Sequence, residues 1–204
     1  MARRRYIVLT ALLAGMVVLA TGVGVWLWRG RQPELYGLVL DRPREVPRVP
    51  LQASDGQTRA LQDYRGKVVL VYFGYTTCPD VCPMTLSTLA RARDMLGSQA
   101  GQVQVVMVTV DPERDTAERL KEYLGRYGDG FVGLTGDDAQ IQEVATAFGV
   151  YYARYESGSA LGYLVEHTAS TFVLDRQGRL RIAVPYGALP EQVAADVRYL
   201  LKEE

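Results

Sequence analysis

The sequence predicts an α/β protein in which a mixed β-sheet lies between layers of helices, preceded by one N-terminal transmembrane helix. Two apolar runs, 67–73 and 103–110, have the length and β-branched composition of strands that are buried on both faces. Each run is followed by a segment with helical spacing of apolar residues, and the chain ends with a short hairpin and one more helix. This order is typical of a three-layer fold with a mixed central sheet.

The N-terminal segment 6–28 contains no charged residue and is almost wholly apolar. Because about 20 such residues can cross the hydrocarbon core of a bilayer as a helix, we predict a transmembrane anchor here. The alternative is a cleaved signal peptide, for which Ala20-Thr21-Gly22 is the candidate cleavage region.

Positive charge predicts how this segment is oriented. Arg3, Arg4 and Arg5 precede it and only Arg29 and Arg31 follow closely, which places the tail 1–5 in the cytoplasm. A tail this short leaves no room for a mitochondrial transit peptide. We therefore expect a bacterial inner membrane, with the large C-terminal domain in the periplasm or on the outer face.

The segment 29–48 differs in composition, since prolines stand among charged residues and no apolar periodicity is present. Such proline spacing favours an extended, semi-rigid tether. The soluble domain is therefore predicted to comprise residues 49–204.

A helix is predicted after the central strand 67–73, starting at about Pro83 and ending at Gly97. Cys82 precedes a proline, which disfavours the α region, so we expect this cysteine to lie just outside the helix. Both cysteines, Cys78 and Cys82, then lie at the junction between a buried strand and a helix N-terminus.

The other elements follow in order. Asp115 and Glu118 form a candidate N-cap pair for the next helix, and Asp137 caps another helix that stops at Gly149. The remaining predicted elements are two short strands within 51–61, strands at 131–134, 171–174 and 179–184, a segment 150–155 with a glycine-containing loop that leads to His167, and a closing helix at 190–201. A thioredoxin-like topology fits this order.

Composition excludes two classes of protein. The formal net charge is zero and no basic block exceeds Arg3 to Arg5, so nothing indicates nucleic-acid binding. The chain has two cysteines, too few for a disulfide scaffold, and a bridge between them would close only a very short loop. A redox couple and a metal site remain.

Cys78 and Cys82 are four positions apart, so one helical turn would point both sulfurs the same way. A helix N-terminus favours thiolate over thiol. His167 is the single histidine, and in a thioredoxin-like arrangement its loop lies near the cysteine-bearing helix. Two thiolates and one imidazole suit copper(I), or copper(II) with a further ligand, whereas structural zinc needs a fourth protein ligand.

Thiol-disulfide exchange without metal is the rival hypothesis. Two features weaken it: three residues separate the cysteines where oxidoreductases have two, and Thr168-Ala-Ser-Thr171 lacks the cis-proline that such folds carry. Asp80 is either a cap or a residue that contacts a metal or tunes the thiols. The simplest roles of the other candidates are packing for Met84 and loop or cap positions for Asp111 and Asp115.

Three motifs resemble the Sco/SenC family: Gly66 to Pro83, Val110 to Thr116, and His167 with Ser170 to Asp175. The resemblance extends from about Val49 to the C-terminus, and the N-terminal anchor agrees with it. It implies a thioredoxin-like fold and a copper-binding accessory protein that helps to assemble the copper A centre of cytochrome c oxidase.

The resemblance also implies which residues bind copper: Cys78, Cys82 and His167. Thr77 stands where many relatives have a histidine, which removes one auxiliary ligand. The expected function is a membrane-anchored metallochaperone that receives copper from a donor protein and passes it to oxidase subunit II. The alternative is a thiol-disulfide oxidoreductase that uses the same cysteine pair to keep the copper-binding cysteines of the oxidase reduced.

Overall fold

A computed structural model describes residues 13–24, 35–159 and 162–203 of the chain. The chain divides into two units, one ending at Glu34 and one starting at Leu35. Residues 13–24 are helical, and the rest of the predicted transmembrane segment lies outside the described residues, as does the tail 1–5. None of the helices described has both the length and the hydropathy required to cross a membrane.

The second unit is an α/β domain. Its strands are β1 Leu38–Arg44, β2 Leu51–Ala53, β3 Thr58–Arg59, β4 Val68–Gly74, β5 Val103–Thr109, β6 Phe131–Thr135, β7 Tyr152–Ser159, β8 Gly162–His167, β9 Thr171–Leu174 and β10 Leu180–Val184. Its α-helices are α1 Val81–Asp94, α2 Ala117–Leu124, α3 Asp138–Phe148 and α4 Pro190–Lys202. Short 3-10 helices occupy Leu61–Tyr64, Gly97–Gln102 and Gly125–Tyr127.

Eight of these strands form one mixed sheet in the order β1-β10-β9-β4-β5-β6-β2-β3. The neighbours β4, β5 and β6 run parallel, and the other pairs are antiparallel. β7 and β8 pair with each other in a separate two-stranded sheet. The predicted α/β fold with a central mixed sheet is therefore confirmed.

Helices cover both faces of β4, the wholly buried central strand. Successive side chains of a strand point to opposite faces. Tyr72 reaches Cys82 at the start of α1, whereas Phe73 packs on the other face against Phe148 of α3, with ring centroids 5.3 Å apart. The domain thus has the three layers that the sequence predicts.

A glycine lets α2 approach the same face as α1. Tyr72, Met107 and Gly133 are register neighbours across β4, β5 and β6, so they share that face. A Cβ on Gly133 would lie 2.6 Å from the Cβ of Leu120 in α2. Any larger residue would force the helix away from the sheet.

The prediction of an unpacked tether up to residue 48 is wrong for the part that the structure describes. β1 forms an edge strand beside β10. Just before it, the buried Asp196 of α4 accepts hydrogen bonds from the backbone N–H groups of Tyr36 and Gly37, both at 2.9 Å. The domain therefore starts at Leu35 and not at residue 49. Partners distant in sequence satisfy this backbone, which proline spacing does not reveal.

Helix boundaries give mixed outcomes. Asp137 caps α3 and Gly149 ends it in the left-handed conformation at φ 70°, as predicted. α2 is capped by Thr116, so the predicted pair of Asp115 and Glu118 is wrong. α1 begins at Val81 and ends at Asp94, before Gly97.

Cys82 lies inside the first turn of α1, which corrects the expectation that it stands outside the helix. Pro83 is tolerated there because the first N–H groups of a helix have no partner within the helix. The segment predicted as a loop before His167 is the β7–β8 hairpin, in which Tyr152 pairs with His167.

Candidate metal centre

Cys78, Cys82 and His167 come together at one edge of the main sheet. One ligand atom from each, two sulfurs and a ring nitrogen, lie within 4.8 Å of one another. The Cys82 Sγ is 3.5 Å from Nε2 of His167. Both thiols are free; Cys82 is buried, whereas Cys78 and His167 are half-buried. No other such group of histidine, cysteine and acidic residues occurs in the part of the chain that the structure describes.

The end of β4 places the two sulfurs. Cys78 lies in the loop between β4 and α1, and the backbone N–H of Cys82 points at its Sγ from 3.5 Å. A Cβ on Gly74, the last residue of β4, would lie 3.1 Å from the Cys82 Sγ and 2.7 Å from the Tyr72 ring. Glycine at this position therefore lets the buried sulfur lie directly against the strand end.

The two thiols differ in acidity. A hydrogen bond from the Cys82 thiol lowers the pKa of Cys78, and His167 and the backbone N–H groups of Asp80 and Cys82 lower it further. The same hydrogen bond to Cys78, together with burial, raises the pKa of Cys82. The pair therefore loses its first proton readily, and the resulting charge lies on Cys78, the more exposed sulfur.

The imidazole of His167 is oriented by its neighbours. Its Nδ1 is 3.2 Å from the carbonyl oxygen of Thr168, a contact that holds the ring so that Nε2 faces Cys82. The rings of Tyr72 and Tyr75 contact the imidazole edge-on, with centroids 6.0 and 5.9 Å away.

Tyr72 is also bonded to a sulfur. It is fully buried, and its hydroxyl donates a hydrogen bond to the Cys82 Sγ at 3.4 Å. Burial raises the pKa of Tyr72, which keeps its hydroxyl protonated and able to donate. Sequence analysis did not single out this residue.

Asp115 holds the loop in front of Cys78 and is not a cap residue. It is completely buried, and it accepts hydrogen bonds from the Thr76 N–H at 3.0 Å and from the Thr109 hydroxyl at 2.7 Å. Because β4 and β5 are parallel neighbours, their carboxyl ends lie at the same edge of the sheet. A predicted parallel pairing of these two strands was therefore the sequence signal that could have placed Asp115 beside the cysteine loop.

The remaining candidates lie around the centre. Asp80 occupies the N-cap position of α1, but its side chain makes no capping hydrogen bond. Met84 is 53% exposed, so its expected role in packing is wrong; its sulfur accepts a hydrogen bond from the Tyr186 hydroxyl. The Thr77 hydroxyl is buried without a hydrogen-bond partner in the described structure.

The donor set selects among metals. Thiolates and imidazole are soft or borderline ligands, and three of them suit copper(I). Closed structural zinc sites have four protein ligands, and no fourth residue joins this group among those described. The arrangement can also perform thiol chemistry, since a half-buried thiolate lies beside a second thiol.

Comparisons with known proteins confirm the resemblance that the motifs indicate. The family described as SCO1/SenC matches residues 42–202. An SCO2-like protein of Rickettsia prowazekii is 40% identical over 116 residues, which are 56% of this chain and 57% of that protein. The chain thus matches little more than half the length of this relative.

Two solved structures extend the match to the fold. Copper-bound ScoI of Bradyrhizobium japonicum is 33% identical with a TM-score of 0.70, over 76% of this chain and 99% of that one. Apo Sco1 of Thermus thermophilus is 38% identical with a TM-score of 0.74, over 83% of this chain and 99% of that one. With the family match covering nearly the whole domain, the chain belongs to the SCO1/SenC family.

Proposed function

We propose that this protein is a copper chaperone that binds copper through Cys78, Cys82 and His167. It passes the metal to the copper A site in subunit II of cytochrome c oxidase. The convergence of the two cysteines and the single histidine at one sheet edge carries the proposal. Copper bound to a relative with this fold and the oxidase role implied by the family resemblance support it.

The exposure of the ligands suits transfer by ligand exchange. Cys82 is buried behind Tyr72, whereas Cys78 and His167 are half-buried. A three-coordinate copper(I) ion leaves room for an incoming thiolate, so a ligand of the partner enters from the exposed side. The metal then leaves as the bonds to this chain are replaced one at a time.

The proposal places the transfer at a membrane. The uncharged segment 6–28 anchors the chain in a bacterial inner membrane, with the domain on the periplasmic face where the oxidase subunit presents its copper site. A donor protein supplies copper on the same face.

The test is copper binding by the full chain in detergent, prepared reduced and metal-free. We expect one copper per chain for the parent, weaker binding with a changed spectrum for His167→Ala, and loss of binding for Cys78→Ser. Tyr155→Ala, on the same hairpin and 50% exposed, is the matched control and should bind like the parent. Identical affinity and spectrum in the parent and His167→Ala would contradict the three-ligand site.

A second function is favoured by one observation: both thiols are free, and Cys78, the more acidic one, is also the more exposed. In this function the chain reduces a disulfide between copper-ligand cysteines of the oxidase. Its Cys78 thiolate attacks one sulfur of that disulfide, the other sulfur leaves as a thiolate, and Cys82 then releases the target by closing the Cys78–Cys82 disulfide.

Reduction of a disulfide-bonded peptide that carries the oxidase cysteines distinguishes the two functions. If the protein is a chaperone, His167→Ala should lose copper transfer, and loading the parent protein with copper should block its reduction of the peptide. Copper-free reduction at an unchanged rate in His167→Ala, without any copper transfer by the parent, would favour the reductase instead.

A further inference from the structure

The segment that follows β5 contains two completely buried carboxylates, Asp111 and Asp115. Neither is needed to ligate or release copper in the proposed function. Burying a carboxylate costs free energy unless its oxygens are hydrogen-bonded or paired with cations, so each of them needs a structural explanation.

Asp111 holds both strands of the β7–β8 hairpin, which we call the hairpin arm. From β8, the Tyr163 hydroxyl donates a hydrogen bond to Asp111 Oδ1 at 2.7 Å. From β7, the Arg154 guanidinium lies 3.6 Å from the same oxygen. Arg114 pairs with the second carboxylate oxygen. One buried carboxylate therefore binds the arm through both of its strands.

Arg114 adds a second connection. Its guanidinium stacks over the Tyr163 ring at 3.7 Å and donates a hydrogen bond to the Tyr163 carbonyl oxygen at 3.1 Å. The Arg114 guanidinium also lies 5.9 Å from the Tyr75 ring, and the Tyr75 hydroxyl accepts a hydrogen bond from the Val165 N–H. The arm thus meets the loop that precedes Cys78.

One face of β8 makes these contacts. Tyr163, Val165 and His167 alternate along the strand and therefore share a face. Tyr163 contacts Asp111, Val165 is 4% exposed, and His167 reaches Cys82. The four residue steps from Tyr163 to His167 span about 13 Å of strand, so the fixed end at Tyr163 sets the direction of the imidazole end.

Asp115 completes the arrangement from the other side, because it holds Thr76, two residues before Cys78. We infer that Asp111 is a positioning residue. Acting through Tyr163 and Arg154, it sets where the hairpin arm presents His167 to the Cys78–Cys82 pair, and Asp115 fixes the cysteine loop against the same segment. This inference rests on the proposed copper site.

The test uses two variants in the full chain in detergent. Asp111→Asn removes the charge that pairs with Arg114 and Arg154, and Tyr163→Phe removes only the hydroxyl. Asp196→Asn is the matched control for a buried carboxylate, and Tyr64→Phe is the control for a buried tyrosine. Tyr163→Phe is the milder change, so it carries the test if Asp111→Asn does not fold.

Two readouts are compared. Copper binding should weaken about tenfold or more in both variants, as for other groups that orient a metal ligand, and the copper(II) spectrum should shift toward that of His167→Ala. In the metal-free protein, amide hydrogens of the hairpin arm should exchange faster while those of β4 keep the parent rate. Both controls should match the parent in both readouts.

A double-variant cycle separates positioning from a general loss of structure. If Asp111 acts through His167, Asp111→Asn should cause no further loss of affinity when His167 is already alanine. An undiminished loss in the His167→Ala background would overturn the inference, as would parent-like spectra and parent-like arm exchange in Asp111→Asn and Tyr163→Phe.

These outcomes are distinct from failure of the proposed function. If His167→Ala binds copper like the parent, the three-ligand site itself is wrong. If His167→Ala binds copper more weakly than the parent but Asp111→Asn and Tyr163→Phe behave like the parent, only the role of Asp111 is wrong.

Discussion

Two kinds of structure hold the two sides of the metal centre. The cysteines follow β4, which hydrogen-bonds to β5 on one side and to β9 on the other. His167 ends the hairpin arm, whose strands pair with each other and not with the main sheet in the part of the chain described. We call the main sheet with its helices the body of the domain. The arm is connected to the body by side chains, chiefly those of Tyr163, Arg154 and Tyr75.

This difference shows which ligand can move. A strand paired on both sides opens only when the domain unfolds, whereas a hairpin held by a few side-chain contacts can open locally at a lower free energy. In the proposed chaperone function the copper has to be released, and the arm would provide one ligand that can withdraw while the thiols stay in place. The following predictions test this contrast.

The largest expected effect is in the body. Phe73→Ala removes a fully buried ring that packs against Phe148 and Phe172, and should lower the free energy of unfolding by about 3–5 kcal/mol. Tyr155→Ala, on the arm, should change it by less than about 0.5 kcal/mol. Denaturant titration of the metal-free protein measures both. Equal losses would mean that the arm and the body are not distinct in stability.

The second prediction concerns the two thiols. When the pH falls from 8 to 6, the thiolate fraction of a thiol with an ordinary pKa decreases about 100-fold. Cys78 stays a thiolate over this range because its pKa is lowered. Iodoacetamide should therefore label Cys78 nearly as fast at pH 6 as at pH 8, with Cys82 protected by burial and its raised pKa.

Pulsed alkylation with mass spectrometry measures these rates. Cys82→Ala is the matched variant: it removes the thiol that donates a hydrogen bond to the Cys78 sulfur, so the pKa of Cys78 should rise and its labelling at pH 6 should slow. A 100-fold decrease for Cys78 in the parent would show that the thiolate is not favoured.

Asp115→Ala should have a smaller effect. It leaves the Thr76 N–H and the Thr109 hydroxyl without their acceptor, which should cost about 1–3 kcal/mol of unfolding free energy. Hydrogen exchange should also be faster at Thr76. Asp137→Ala, which removes the α3 cap, should cost about 1 kcal/mol without affecting that amide. Unchanged exchange at Thr76 would exclude Asp115 as the support of the cysteine loop.

The smallest effect is expected for Tyr72→Phe. It removes one hydrogen bond to the Cys82 Sγ and should cost about 1 kcal/mol or less of unfolding free energy. The sulfur-to-copper absorption band of the copper(II) form should shift, because the sulfur loses a donor. The control is Tyr64→Phe, because the Tyr64 hydroxyl is buried without a hydrogen-bond partner in the described structure. This variant should leave the band in place. An unshifted band in Tyr72→Phe would show that this hydroxyl does not tune the sulfur.

Sequence patterns predicted the body better than the arm. The runs that became β4 and β5 are almost wholly apolar, and α3 has a cap residue at each end, so local chemistry was sufficient. The hairpin arm has mixed polar and aromatic residues around glycines, and its burial depends on Asp111 and Arg114 from a distant segment. Local propensity does not report such contacts.

The candidate site shows the same division. The cysteines and His167 were found from residue type and spacing, because few other residues in the chain can do their chemistry. Asp115 and Tyr72 were missed, since an aspartate before a helix resembles a cap and a tyrosine in an apolar strand resembles core. Their roles follow only from which strand ends meet at the sheet edge.

X-ray absorption of the full chain loaded with copper(I) tests the central claim most directly. The proposed site predicts two sulfur scatterers and one nitrogen scatterer around the metal in the parent, and two sulfur scatterers without the nitrogen in His167→Ala. Tyr155→Ala should reproduce the parent. A parent spectrum with sulfur ligands alone, or an unchanged nitrogen shell in His167→Ala, would contradict a copper site completed by the hairpin arm.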